Sequence, residues 1–146
     1  MALRAFVIEG EPQGKGRARH ANGWAYTPEK TAMYENLIKL SYRQECSEPM
    51  YEQGVPLVMQ ITAFYGIPKS VSNKKRQAMM NEEILPTKKP DIDNLCKVIM
   101  DSLNKVAYYD DAQIVKAVET KFYSDYPRVF VQLWTFEEYK KIFGRF

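Results

Sequence analysis

Lys88-Lys89-Pro90-Asp91-Ile92-Asp93-Asn94-Leu95-Cys96-Lys97-Val98-Ile99-Met100-Asp101-Ser102-Leu103-Asn104-Lys105-Val106-Ala107-Tyr108-Tyr109-Asp110-Asp111-Ala112-Gln113-Ile114-Val115 is the stretch on which the reading of this 146-residue chain turns. The whole sequence has six aspartates, none before position 91, and five of them fall here: Asp91, Asp93, Asp101, Asp110 and Asp111. Carboxylates so segregated mark a site rather than a solubilising surface. Pro90 fixes its own φ and biases Lys89 away from helix, so the chain enters extended. Residues two apart in an extended run share a side, which places Asp91 with Asp93. Leu95, Val98, Ile99 and Leu103 then recur at helical spacing. They predict a helix over 94–103, with Asp93 as its N-cap and Asn104 as its C-cap. Asp93, Lys97 and Asp101 lie one turn apart on the polar face of that helix. Asp110 and Asp111 precede the β-branched pair Ile114-Val115, and a carboxylate at the mouth of that strand can fold back onto Asp91 and Asp93.

Any one of these aspartates alone reads as a cap or part of a solvated face; together they read as a metal site. Two like charges about 4 Å apart repel by about 4 kcal/mol at an effective dielectric near 20, and Lys97 cannot balance three or four of them. One histidine (His20) and two isolated cysteines make zinc a poor match, whereas oxygen ligands suit magnesium or manganese. Such ions generate a nucleophile from water and stabilise a leaving oxygen in phosphodiester hydrolysis, and Lys97 would neutralise charge on the phosphoryl oxygens. Spacing rejects three decoys. An EF-hand loop starting at Asp91 needs glycine and glutamate where Cys96 and Ser102 stand. The Asp-x-Asp of a phosphoaspartate phosphatase ends a hydrophobic strand, but here it follows Thr87-Lys88-Lys89-Pro90. The segment from Gly10 to Lys15 is one residue short of a phosphate loop and is followed by Gly16.

The run Pro90-Asp91-Ile92-Asp93-Asn94-Leu95, then Lys97, Asp101, Leu103-Asn104 and Asp110-Asp111-Ala112-Gln113-Ile114-Val115, closely resembles the RusA family of Holliday junction resolvases. Type and spacing agree over about 25 residues, which makes the match specific. The segment from Gly10 to Arg19 with Tyr26-Thr27-Pro28-Glu29-Lys30 resembles the N-terminal part of phage and prophage members. The resemblance implies a magnesium-dependent homodimer that nicks four-way DNA junctions symmetrically. Carried over by position, it implies Asp91, Asp93 and Asp111 as metal ligands, Asp110 as a further candidate ligand, and Lys97 as the catalytic lysine. Asp101 also matches a position of the motif, with no role assigned to it.

The rest of the chain reads as one α+β domain over residues 1–146, RusA-like, with a small mixed β-sheet and helices packed against it. A chain of this length buries roughly two-thirds of its unfolded surface without disulfide or metal staples. A hydrophobic fraction of 45% and a charged fraction of 27% are ordinary for a globular protein, and no segment is apolar for long enough to span a membrane. Leu3 to Ile8 lacks the features of a signal peptide, and Cys46 and Cys96 read as free thiols, so a cytoplasmic protein is expected. Leu3–Glu9 reads as a strand and Gly10–Gly23 as a flexible basic loop ending near Trp24 and Tyr26; these aromatics can stack on unpaired bases, but the expectation for Trp24 is packing on the core. Met33, Leu37 and Leu40 give the next helix its expected buried stripe. After Gly54, Leu57 to Phe64 reads as a strand covered on both faces over part of its length. Ser72 caps a helix from Asn73 to about Asn81. The last two strands, Lys116–Tyr123 and Arg128–Thr135, read as an antiparallel hairpin joined by Ser124-Asp125-Tyr126-Pro127, with Thr135 and Glu138 capping a terminal helix.

Net charge is only +3, but residues 1–90 hold 13 Lys and Arg against 9 Glu, whereas residues 91–146 hold 8 against 9 acidic residues. A basic flank beside an acidic site suits a nuclease, because the DNA must be attracted before carboxylates can be brought to its phosphates. Lys15, Arg17 and Arg19 in the glycine-rich loop, Lys74, Lys75 and Arg76 at a helix start, and Lys88 and Lys89 before the motif are the candidate DNA contacts. Branched DNA is the expected partner. The alternatives are a nuclease for other branched or flapped DNA, and a non-catalytic nucleic-acid-binding module whose carboxylates hold a structural ion.

Overall fold

The computed structural model describes residues 3–144. Its centre is β4 (Leu57–Gly66), a ten-residue strand whose alternate residues Leu57, Met59, Ile61, Ala63 and Tyr65 are all buried on one face. That face meets a helical layer formed by α1 (Glu29–Glu45) and α3 (Ile92–Leu103), which pack on each other. On the opposite face Val58 is buried with Trp134 and Tyr139, the latter on α4 (Phe136–Phe143). The strand is thus covered on both faces over part of its length, as Val58, standing among otherwise alternating residues such as Gln60 and Thr62, predicts.

β4 lies between two later strands. It pairs in parallel with β5 (Ile114–Ser124) and antiparallel with β6 (Arg128–Thr135), and β6 pairs antiparallel with β1 (Arg4–Glu9), giving the order β1-β6-β4-β5. The expected hairpin between the last two strands is therefore overturned: β4 is inserted between them. Skipping one strand requires about 10 Å, which is what the three residues Asp125, Tyr126 and Pro127 can span. They cross the end of β4 at Gly66, where a Cβ would stand 2.1 Å from Glu11 Oε1 and 3.6 Å from a Pro127 ring carbon. The crossing itself leaves ordinary contact distance at Gly66; a side chain there would instead displace the Glu11 carboxylate, which accepts from the Gly66 N–H at 2.9 Å.

The α3 prediction holds for the buried stripe: Leu95, Val98, Ile99 and Leu103 are each at most 1% exposed. Complete burial of such side chains contributes about 2 kcal/mol apiece. Its start is corrected, since the helix begins at Ile92 and the N-cap is Asp91, with Asp93 already in the first turn. The α1 stripe is also corrected. Met33 and Leu40 are 64% and 53% exposed, and the buried face carries Thr31, Tyr34, Ile38, Ser41 and Tyr42. Two apolar stripes overlap on this helix; the one at spacing i, i+4, i+8 with the larger rings faces the core.

α2 (Asn73–Met80) packs against β5 and is capped by Ser72, whose side chain accepts from the Lys75 N–H at 3.2 Å. Thr135 caps α4 by accepting from the Glu138 N–H at 3.2 Å. The glycine-rich loop contains a small hairpin, β2 (Arg19–Ala21) and β3 (Trp24–Tyr26). Asn22 and Gly23 turn it with φ of 52° and 80°, the pair of positive angles that a tight two-residue turn demands. Trp24, expected against the core, is 77% exposed because it sits beside the turn of this ribbon. No helix among the described residues is long and apolar enough to cross a membrane.

Candidate active site

The chain reaches α3 through Lys88-Lys89-Pro90, and side chains of the central strands fix that approach. The Tyr65 hydroxyl on β4 donates to the Pro90 carbonyl, and the Lys121 ammonium on β5 donates to the Lys88 carbonyl at 2.6 Å. Lys121 also lies 4.9 Å from the centre of the Tyr65 ring. Burial lowers its pKa, and the neighbouring Asp91 carboxylate acts against that shift.

Asp91 makes no side-chain capping bond, although it holds the N-cap position of α3. Its carboxylate, like that of Asp93 in the first turn, is exposed and not consumed by the helix. The positive end of the helix dipole favours both. Asp91 therefore caps α3 by position and not through its side chain.

The sequence reading did not single out Glu119 on β5, and the structure places it against Asp93 and the Cys96 thiol. Burial, reinforced by Asp93, raises the pKa of Glu119; the same burial, with Glu119 beside it, pushes Cys96 up to about 12. The Oε2 atom of Glu119 is buried with no hydrogen-bond partner. A carboxylate oxygen so placed costs free energy unless a cation or donor meets it, and Asp93 and Glu119, which stand together, are of the oxygen type that hard divalent cations take. A sequence signal existed. Glu119 and Lys121 are two apart inside a β-branched run, so both face one side of the strand, and that side covers α3.

Asp111 stands elsewhere. It opens a 3-10 turn (Asp111–Gln113), where its N–H donates to Asn104 Oδ1 at 2.8 Å and its Oδ2 accepts from Asn104 Nδ2 at 3.4 Å. Burial raises its pKa, Asn104 opposes that shift, and Asp101 and Asp110 add to it. Asp101 is two helical turns beyond Asp93, about 12 Å along the axis. Within one chain the carboxylates therefore form two groups at opposite ends of α3, and among the described residues no three His, Cys, Asp or Glu side chains enclose a single ion position. Asp110 is engaged locally, its side chain accepting from the Ala112 N–H at 3.0 Å while Gln113 answers its own N–H.

The candidate DNA contacts divide in a similar way. The Lys15 ammonium is 2.8 Å from Asp101 Oδ2, a bond that raises the lysine pKa, so Lys15 ties the loop to α3 rather than presenting a free charge. Arg17, Lys88 and Lys89 are exposed, as are Lys74 and Lys75 on α2, with Arg76 half-buried. Arg19 is the first residue of β2; its side chain lies outside what the structure describes. Lys97 is exposed on the face of α3 between Asp93 and Asp101. An open groove of about 570 Å³ runs from the loop to Asp91, lined by Lys15, Arg17, Lys30, Lys89, Asp91 and Asn94.

A carboxylate pair at a helix start, with lysines and an arginine along the groove that leads to it, is an arrangement suited to a polyanion. The family model described as "Endodeoxyribonuclease RusA" matches residues 9–134. The chain is 37% identical over 134 residues to the uncharacterized protein YqaN of Bacillus subtilis (strain 168), covering 88% of this chain and 93% of that one. It is 34% identical over 97 residues to the crossover junction endodeoxyribonuclease rusA of Lactococcus phage r1t, covering 66% of this chain and 67% of the phage protein. The matched span runs from the end of β1 to the end of β6 and includes both carboxylate groups, and the chain belongs to the RusA family of endodeoxyribonucleases.

Proposed function

We propose that the protein resolves four-way DNA junctions by paired phosphodiester cuts that depend on a divalent cation, magnesium or manganese. The observation that carries this reading is the pair Asp91 and Asp93 at the start of α3, free of any capping role and next to the unpartnered buried oxygen of Glu119. The phage relative named for crossover junctions supports the choice of branched DNA as substrate. Asp91 and Asp93, with Glu119 beside Asp93, are the residues at this end of α3 that would contribute ligands to the cation, and Asp111 is the further ligand that the family resemblance implies; among the described residues no three such side chains of one chain enclose a single ion position. Bound there, it would supply positive charge to the scissile phosphate and lower the pKa of attacking water. Lys97, one turn beyond Asp93, brings an ammonium to the phosphoryl oxygens as charge develops on them. Arg17 and Lys89 hold the strand backbone along the groove, with Lys88 exposed beside them, and Lys121 keeps the approach to α3 in place. One chain has one such centre, so paired cuts call for two chains related by a two-fold axis, a homodimer.

The direct test incubates the protein with end-labelled four-way, flapped and linear DNA, with magnesium or with chelator, and maps the cuts. Paired symmetric nicks confined to the four-way substrate and lost with chelator are expected. Cuts confined to flaps would replace the substrate, and binding without any cut would remove the enzyme reading.

Lys97→Ala is expected to lower the cleavage rate about a hundredfold while leaving junction affinity within a factor of about three, as removal of a group acting in the transition state does. An unchanged single-turnover rate would take Lys97 out of the chemistry. Glu119→Gln keeps the shape of the buried side chain and removes its charge. Manganese affinity, read by calorimetry on the DNA-free protein, is expected to fall about tenfold or more. Equal affinities in the two proteins would place the cation away from β5.

A further inference from the structure

The β2–β3 hairpin is built as an arm with a fixed root and a bare tip. At the root, the Lys15 N–H donates to Asn94 Oδ1 at 3.2 Å, the Lys15 ammonium meets Asp101, and the Gly16 N–H donates to Thr31 Oγ1 at 2.9 Å. The backbone is pressed close to its anchors: a Cβ on Gly14 would lie 2.2 Å from Asn94 Nδ2, and one on Gly16 would lie 2.8 Å from Thr31 Oγ1. Asn94 follows Asp93 in the first turn of α3, so the arm is bolted to the element that carries the candidate catalytic pair. Beyond the root, every described side chain from Arg17 to Ala25 is exposed. Six residues of extended chain from Gly16 to Asn22 reach about 20 Å. The tight turn at Asn22-Gly23 stiffens the end, and the Trp24 ring beside it is 77% exposed.

An indole held so far from the core has lost the burial that normally retains tryptophan inside. Its surroundings identify what replaces that burial. From Pro12 to Pro28 the sequence contains no acidic residue, while Lys15, Arg17, Arg19 and His20 lead to the tip. A one-signed basic arm ending in a flat aromatic ring fits a polyanion whose bases are accessible, since every base offers a face to stack on and its backbone offers phosphates. An intact duplex hides those faces; a branch point is where strands exchange partners and stacking is interrupted.

We propose that Trp24 stacks on a base unstacked at the branch point, so that the arm sets the distance between that point and the cleavage centre at the start of α3. The proposal rests on the junction-cleaving reading and adds to it the residue that recognises the branch.

The test uses four-way junctions carrying 2-aminopurine either at the branch point or within an arm, bound to the full-length protein with Asp91→Asn to prevent cutting. Binding is expected to change the fluorescence of the branch-point probe alone. Adding Trp24→Ala should abolish that change, and Trp24→Phe should retain most of it. In the otherwise wild-type protein, Trp24→Ala should lower junction cleavage about tenfold, the loss of one stacked base, with thermal melting unchanged. A branch-point signal and a cleavage rate that both survive Trp24→Ala overturn this inference alone, as does a signal of equal size from probes in the arms. Wild-type protein that neither binds nor cuts branched DNA overturns the junction-cleaving reading and this inference with it.

Discussion

Asp91→Asn is expected to yield a protein that binds a four-way junction as tightly as the wild type, or more tightly, and cuts it at least about a hundredfold more slowly. The substitution keeps the size of the side chain, and with no capping bond to lose the helix start is undisturbed. What changes is charge. An amide cannot replace a carboxylate as a ligand for a hard cation, so chemistry fails, whereas one negative charge fewer eases the approach of phosphate. Asp93→Asn should behave in the same way. Asp111→Asn tests whether the second carboxylate group, at the Asp101 end of α3, belongs to the same reaction: an equal loss of rate with affinity retained joins the two groups functionally. Gel-shift affinities and single-turnover rates, measured side by side, separate binding from chemistry. Wild-type rates from Asp91→Asn would remove the start of α3 from the active centre.

Gln113→Ala is expected to cost about 2–4 kcal/mol of folding stability in urea titration, a large share of the margin of a small domain. Gln113 belongs to the same motif as Asp110 and Asp111, yet only 8% of it is exposed and it acts as a clasp. Its Oε1 accepts from the N–H groups of Tyr109 and Asp110, each at 3.1 Å. Its Nε2 donates to the carbonyls of Glu52 and Val55 at 2.9 and 3.1 Å. Alanine would leave these partly buried backbone groups without that partner. Gln113→Glu retains the acceptor and loses the donors, setting a carboxylate against two carbonyls, and should be destabilised as much. A loss below about 0.5 kcal/mol in both variants would show that solvent or rearrangement satisfies these groups.

The motif was legible because its information is local. The spacing of Leu95, Val98, Ile99 and Leu103 determines which side of α3 is buried, and that in turn leaves Asp93, Lys97 and Asp101 on the other. Ser72 and Thr135 announced their helices for the same reason, since a cap acts within three residues. Three things were not local. β4 enters between β5 and β6 because of partners about fifty residues or more away in sequence, and nothing in Ser124 to Pro127 distinguishes a turn between neighbours from a bridge over a third strand. The buried side of α1 depended on what it packs against, so Met33 and Leu40 satisfied periodicity and still face outward. Glu119 gained its meaning only when β5 was laid beside α3, which brought its carboxylate to Asp93. Asp111 shows the reverse: adjacency in the motif did not become adjacency in space within the chain, because Asn104 holds it at the far end of the helix.

The strand order β1-β6-β4-β5 also governs when the molecule can come into being. The sheet's first two members in sequence, β1 and β4, do not touch as neighbours; the strand that joins them, β6, follows both in the chain and is synthesised after them. Until it arrives, β1 and β4 each present an unpaired edge, and long-range pairings of this kind slow folding relative to a chain whose contacts are local. The candidate site inherits that delay, because Glu119 and Lys121 hang from β5, whose own position depends on β4. A nascent chain that already carries the whole acidic motif but not β6 therefore has an incomplete sheet to set it on, and the candidate site is assembled only after β6 has been made.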